Sequence, residues 1–247
     1  MTLVLDRCTY RYRRGRTPVL RDFHYALPDG LTVLLGPNGA GKSTLLRLAA
    51  SVTRPQRGSV HLDGVPAGSR TYRQDVAWMP QDITPMPGLT AREYVAYIGW
   101  LKGMTRPDAW KRARQALAKV DLADRMNERS DRLSGGQLRR VGVAGALVHG
   151  ARVLLLDEPT AGLDPYQRRV FRDLLAGLTG DIRVLLSTHD VADLAEEADH
   201  VSVLYDGRIL HHGDTRSFLS FTPPGTVEGR AAEAAYTSLL RDSGKTL

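Results

Sequence analysis

Four short apolar runs, at residues 31–35, 153–156, 184–186 and 201–205, punctuate the chain. Each has the length of one strand, and most are rich in Val or Leu. This is the pattern of strands buried on both faces of a parallel sheet. Helical patterns lie between them. One, at residues 44–50, follows the first run. Another opens at Asp164-Pro165, an N-cap followed by a proline suited to the first helical position. Its apolar residues Val170, Phe171, Leu174, Leu175 and Leu178 recur at spacings of 3 and 4. The alternation predicts an α/β fold with a parallel sheet.

From about residue 88 the strand pattern stops. Thr90-x-x-Glu93 is a capping box opening a helix that runs to residue 102, and residues 107–120 and 138–147 also read as helices. The expectation is one domain over 1–247. Its α/β core comprises 1–87 and 148–213, with a helical subdomain inserted at 88–147 and a tail at 214–247. The tail carries a breaker, Thr222-Pro223-Pro224-Gly225, and then a short helix at 231–240. Tyr94, Tyr97, Ile98 and Leu101 have the spacing of a core stripe. The stretch 83–101 that contains them, with its Met, Pro and aromatics, also suits a docking groove.

Composition narrows the class. Of 247 residues 42% are hydrophobic and 25% charged, which excludes a mainly disordered or collagen-like chain. A single cysteine, Cys8, excludes an internal disulfide and suits a reducing compartment. No apolar run approaches the roughly 18–20 residues of a membrane helix, and the first residues lack the apolar core of a secretory signal. A soluble intracellular protein is expected. The net charge is +7, with 29 Arg and 5 Lys. Its densest patch is Arg11, Arg13, Arg14 and Arg16. A solvated basic surface, a nucleic-acid footprint and attraction to an anionic membrane face would all give this charge. No ladder of bases and aromatics stands out, so no nucleic-acid partner is expected.

Three motifs carry chemistry. Gly36-Pro37-Asn38-Gly39-Ala40-Gly41-Lys42-Ser43 fits G-x-x-x-x-G-K-[ST] and lies between a predicted strand and a predicted helix. Its glycines let backbone N–H groups turn around phosphate oxygens, and the following helix adds its positive end. Lys42 would reach the β- and γ-phosphates, and the Ser43 hydroxyl would coordinate Mg²⁺. The run at 153–156 ends in Asp157-Glu158. Asp157 can hold Mg²⁺ through its water shell, and Glu158 can orient or deprotonate a water for in-line attack. Leu133-Ser134-Gly135-Gly136-Gln137 contains a second capping box, Ser134-x-x-Gln137, and so a second anion-binding helix end. One nucleotide on one phosphate loop does not need it.

With LSGGQ in this company the chain resembles the nucleotide-binding subunit of ABC transporters, from about residue 3 to 213. The fold this implies is a P-loop NTPase (RecA-like) core with the inserted helical subdomain. The resemblance extends to Tyr12 as the aromatic that stacks on adenine, although Tyr10 is a neighbour of the same type. It also covers Thr44 beside the phosphates and Gln81 as the loop glutamine that senses Mg²⁺ and the attacking water. Asp164, in Ala161-Gly162-Leu163-Asp164, matches the residue that communicates across the dimer, and His189 the histidine at the γ-phosphate. Two departures stand out: Leu31 where many members have Glu, and Gly145 where many have Arg.

The resemblance implies ATP and Mg²⁺ as cofactors, with Ser43, Gln81 and Asp157 on the metal side. Lys42, Gln81, Glu158 and His189 would serve hydrolysis. It also implies a head-to-tail dimer, of two copies or of two different ATPases, in which Ser134, Gly135, Gly136 and Gln137 of one subunit close on the other's nucleotide. Separate transmembrane permease subunits would hold the chain to the inner face of the cell membrane. The wording of 83–101 is similar to bacterial drug- or antibiotic-type exporter ATPases, so export is expected. The alternative is a soluble ABC ATPase of translation or DNA repair. Those proteins carry two ATPase units or long coiled coils, and neither is seen in this sequence.

Overall fold

The computed structural model describes residues 2–13, 15, 17–178, 182–191, 198–227 and 229–242. Arg14 and Arg16 of the basic patch lie outside them. Two sheets organise the chain. The larger contains β3 (Leu31–Leu35), β6 (Val76–Met79), β7 (Val153–Asp157), β8 (Arg183–Thr188), β9 (His200–Tyr205) and β10 (Arg208–Asp214), in the order β10-β9-β3-β8-β7-β6. Its strands are parallel except β10, which pairs antiparallel with β9. The smaller is antiparallel, in the order β2-β1-β4-β5, from β1 (Leu3–Tyr10), β2 (Leu20–Leu27), β4 (Arg57–Leu62) and β5 (Val65–Pro66).

The four predicted apolar runs are the central strands. Their residues alternate between two cores, as the period of 2 requires. Leu34, Leu155, Leu185 and Leu204 face one layer, where the helix α1 (Lys42–Ala49) and the small sheet pack with Leu3, Leu5 and Leu27. Val33, Leu35, Leu154, Leu156 and Leu186 face the other, with α3 (Ala91–Leu101), α4 (Arg106–Lys119), α5 (Gly135–Leu147) and α6 (Pro165–Ala176). Each such side chain, fully buried, contributes about 1.5–3 kcal/mol. Chain register brings the carboxyl ends of β3, β7 and β8 together, with Leu35 opposite Thr188 and Asp157 opposite Ser187.

The remaining helices are the short α2 (Arg70–Asp75), α7 (Thr215–Leu219) and α8 (Ala231–Asp242). No strand is found at 88–147 among the described residues; α3, α4 and α5 fill that stretch. Both predicted capping boxes form, at Thr90/Glu93 and Ser134/Gln137. The α3 stripe needs a correction. Tyr94 is buried and Ile98 packs on the core, but Tyr97 and Leu101 are 40% and 61% exposed. The reason is the α3–α4 contact. It runs through Gly99, where a side chain would press on Met104 and Ala109, and so rotates the buried stripe toward Val95 and Gly99. Gly145 lies in the same region, facing Ile98, whose Cδ1 atom would have to move to admit a side chain.

The small sheet, β6 and β10 go beyond what the apolar runs predict. Two of these elements carry a local signal. Asp63-Gly64 and Asp206-Gly207 are two-residue turns with both residues at positive φ, 50° and 78° in one and 48° and 71° in the other. That is the geometry of a tight hairpin. Gly207 also braces the phosphate loop, because its N–H donates to the Ala40 carbonyl at 3.0 Å and a Cβ there would run into the Val19 carbonyl oxygen. Gly207→Ala is expected to destabilise the fold by about 2–4 kcal/mol, through left-handed strain and overpacking together. Chemical denaturation measures this. A midpoint equal to wild type would show that the hairpin is free to move away.

Candidate functional site

The site is built where β3, β7 and β8 end, the usual ligand position of an open parallel sheet. After β3 the chain loops through residues 36–41 and enters α1 at Lys42. Gly36 is required by a close approach, since a Cβ would strike the Leu204 carbonyl oxygen of β9. The Lys42 ammonium is buried. It donates to the Gly36 carbonyl at 2.6 Å and the Pro37 carbonyl at 3.4 Å, and lies 3.3 Å from Glu158 Oε1.

Asp157 closes β7. Its Oδ1 accepts from Ser43 Oγ at 3.0 Å and from Ser187 Oγ at 2.8 Å. Glu158 follows with φ +47°, a conformation uncommon outside glycine. Its N–H is held by the Ser187 hydroxyl and carbonyl oxygens, both at 3.1 Å, which turns the buried carboxylate toward the loop. His189, just past β8, places Nδ1 2.9 Å from Glu158 Oε2. Lys42, Glu158 and His189 thus form a chain of contacts from the phosphate loop to β8.

Tyr12, Pro37, Asn38, Gly39, Gly41, Ser43, Thr44 and Gln81 join Lys42, Glu158 and His189 around a cleft of about 360 Å³, and Asp157 is reached from it through Ser43. Of the two neighbouring tyrosines only Tyr12 lines it. Its hydroxyl is hydrogen-bonded to Thr44 Oγ1 at 3.0 Å, and Tyr10 packs edge-on against it from behind. Ala40 is buried in the loop. Ser43 and Asp157, with the Gln81 amide on the same cleft, make an all-oxygen donor set with few protein ligands. That fits Mg²⁺, which keeps several waters and takes its remaining ligands from substrate phosphates.

Five predicted residues lie elsewhere. None of Ser134, Gly135, Gly136 and Gln137 lines the cleft of its own chain. Ser134 and Gln137 cap α5 reciprocally, through Ser134 N–H to Gln137 Oε1 at 2.9 Å and Gln137 N–H to Ser134 Oγ at 3.3 Å. Gly135 is open, and Gly136 faces the Gln167 side chain of α6. Asp164 also stands apart and caps α6, accepting from Gln167 N–H at 2.8 Å. Two residues of the site go beyond the sequence reading. Ser187 organises both carboxylate residues, and its only signal is a hydroxyl directly after the apolar run at 184–186. Arg139, two residues past the signature glutamine, donates to the Glu158 and Pro159 carbonyls at 3.0 and 3.2 Å. It ties α5 to the turn carrying Glu158, and burial holds its pKa below the usual guanidinium range.

Comparison with known proteins identifies the family and the fold. A family profile described as "ABC transporter" matches residues 20–161. The chain is 38% identical over 226 residues to the cobalt import ATP-binding protein CbiO of Rhodobacter capsulatus, covering 88% of this chain and 80% of that protein. It is 36% identical over 201 residues to ATP-binding cassette sub-family A member 17 of Mus musculus, covering 79% of this chain but only 12% of that much longer protein. The dimeric structure of a bacterial ABC transporter cassette superposes with a TM-score of 0.77 at 27% identity, over 87% of this chain and 99% of that one. The chain belongs to the ABC transporter family and has the fold of its ATP-binding cassettes.

Proposed function

We propose that the chain binds and hydrolyses ATP at the 36–44 cleft and works as the motor of a transporter whose membrane path is made by separate permease subunits. The observation that carries this reading is the contact chain Ser43–Asp157–Ser187–Glu158–His189, with Lys42 beside it, at the ends of three parallel strands. Adenine stacks on Tyr12. The phosphates lie on the N–H groups of the loop and on Lys42, which gives up its contact to Glu158 when they arrive. Ser43, Gln81 and Asp157 are the residues that would hold Mg²⁺, which would supply charge neutralisation at the phosphates. Glu158 then takes a proton from the water that attacks the γ-phosphorus as the bond to ADP breaks, and His189 keeps its carboxylate aimed.

The cleft in one chain leaves the signature unused. In the reading proposed here Ser134, Gly135, Gly136 and Gln137 cover the nucleotide of a second ATPase subunit, with Asp164 near the seam, and hydrolysis opens the pair. The helical insert at 88–147 carries that signature, and the core is 1–87 with 148–213. The groove beside it, about 640 Å³ and lined among others by Met79, Ile83, Met86 and Ile98, is where a permease segment docks. No described helix is long and apolar enough to cross a membrane. In the reading proposed here the docked permease holds the chain to the cytoplasmic face of the membrane. The exporter-like wording of 83–101 has no counterpart in the name of the cobalt import relative, and the motor assignment is independent of direction.

Ser134→Arg tests the composite site. It is expected to leave ATP binding to the single chain nearly unchanged and to lower phosphate release about tenfold or more. Full turnover in that variant would mean that one chain completes its own site.

A further inference from the structure

Large apolar side chains are also exposed elsewhere on the described surface, among them Val52, Trp110, Tyr166 and Val227. On α3 they cluster. Tyr97, Trp100 and Leu101 occupy positions i, i+3 and i+4, so they share a face, and they are 40%, 47% and 61% exposed. The Tyr97 and Trp100 rings lie 5.9 Å apart. Cations flank them on both sides. The Arg106 guanidinium sits 6.0 Å from the Trp100 ring, and beyond Leu101 a hollow is lined by Arg70, Arg73 and Lys102 with no carboxylate. Arg70, Arg73 and Arg106 are all exposed.

We propose that this ridge seats in the headgroup layer of an anionic lipid membrane. Aromatic rings and a leucine tip between flanking cations are what an interfacial helix face presents to acidic headgroups. The size of the patch favours lipid over protein. At about 200 Å² per large side chain, half exposed, the ridge offers roughly 300 Å², well short of the about 800 Å² per partner of a stable protein interface. A peripheral contact needs less, because each cation near an anionic surface adds about fivefold to partitioning. The ridge adjoins the groove assigned above to the permease, since Arg73, Ile98 and Lys102 line both hollows. It would therefore face the bilayer when that groove is filled, yet the lipid contact does not depend on the permease or on ATP.

The test is co-sedimentation of the full chain with vesicles. Binding is expected with mixed phosphatidylglycerol and phosphatidylcholine, and little with phosphatidylcholine alone. Trp100→Ala with Leu101→Ser should weaken it about tenfold or more, and Arg70→Gln with Arg106→Gln about twentyfold, the product of two cations. ATP hydrolysis in solution should be unchanged in both double variants, because none of the four residues lines the nucleotide cleft. Failure to bind anionic vesicles overturns the proposal, as does binding that survives Trp100→Ala/Leu101→Ser. So does self-association without vesicles that the same variant abolishes, which would assign the ridge to a second copy. Loss of ATPase activity in Lys42→Ala with vesicle binding intact would keep the two assignments separate.

Discussion

Glu158→Gln is expected to bind ATP, to hydrolyse it about a hundredfold or more slowly than wild type, and to accumulate as a dimer on sizing in ATP and Mg²⁺. Glutamine keeps the shape of the side chain and can still bond His189, but it cannot accept the water's proton. The position is strict. Glu158 is buried, at positive φ, and its N–H is fixed by two contacts to Ser187, so its carboxylate is held in one place. The nearest carboxylate, Asp157, is already committed to Ser43 and Ser187. In the composite site proposed above, the uncleaved γ-phosphate would keep one subunit's loop bridged to the other's signature. Normal phosphate release would remove Glu158 as the base. A variant that stalls with ATP but stays monomeric would keep the base and sink the composite site.

Much of this site is legible in the sequence because its parts are local. The strand–loop–helix at 31–49, the acidic end of the run at 153–157 and the Ser134/Gln137 capping box each obey a short-range rule, and each forms as read. The small sheet is harder for a physical reason. Arg7 and Asp22 sit at positive φ, 46° and 45°, where the pairing of β1 with β2 loses register. After the bulge the inward side chain changes parity, from Leu3 and Leu5 to Cys8, and the alternation that marks a half-buried strand is broken. Contacts between distant segments leave no such trace. Nothing near Arg139 in the chain says that its guanidinium will hold the Glu158 carbonyl. The outward turn of Tyr97 and Leu101 likewise depends on how α4 docks against Gly99, which periodicity along α3 alone does not contain.

Lys42→Ala is expected to abolish turnover and to weaken ATP binding about thirtyfold or more, as for removal of one member of a buried charge pair. Its second effect is on the protein itself. The ammonium and the Glu158 carboxylate are 3.3 Å apart, on two buried side chains. Taking away the cation strands a buried anion whose remaining side-chain partner is His189. The variant should be destabilised by about 3 kcal/mol. Pairing makes a sharper prediction than either single loss, because the deficit belongs to the stranded charge and not to the missing methylenes. In Lys42→Ala/Glu158→Gln the anion is gone, so most of the lost stability should return while hydrolysis stays absent. Denaturant midpoints of the two single variants and the double variant, read as a thermodynamic cycle, measure the coupling directly. Additive losses would show that the two groups do not interact in solution. Undiminished ATP binding by Lys42→Ala would remove the phosphate-loop assignment on which the cleft depends.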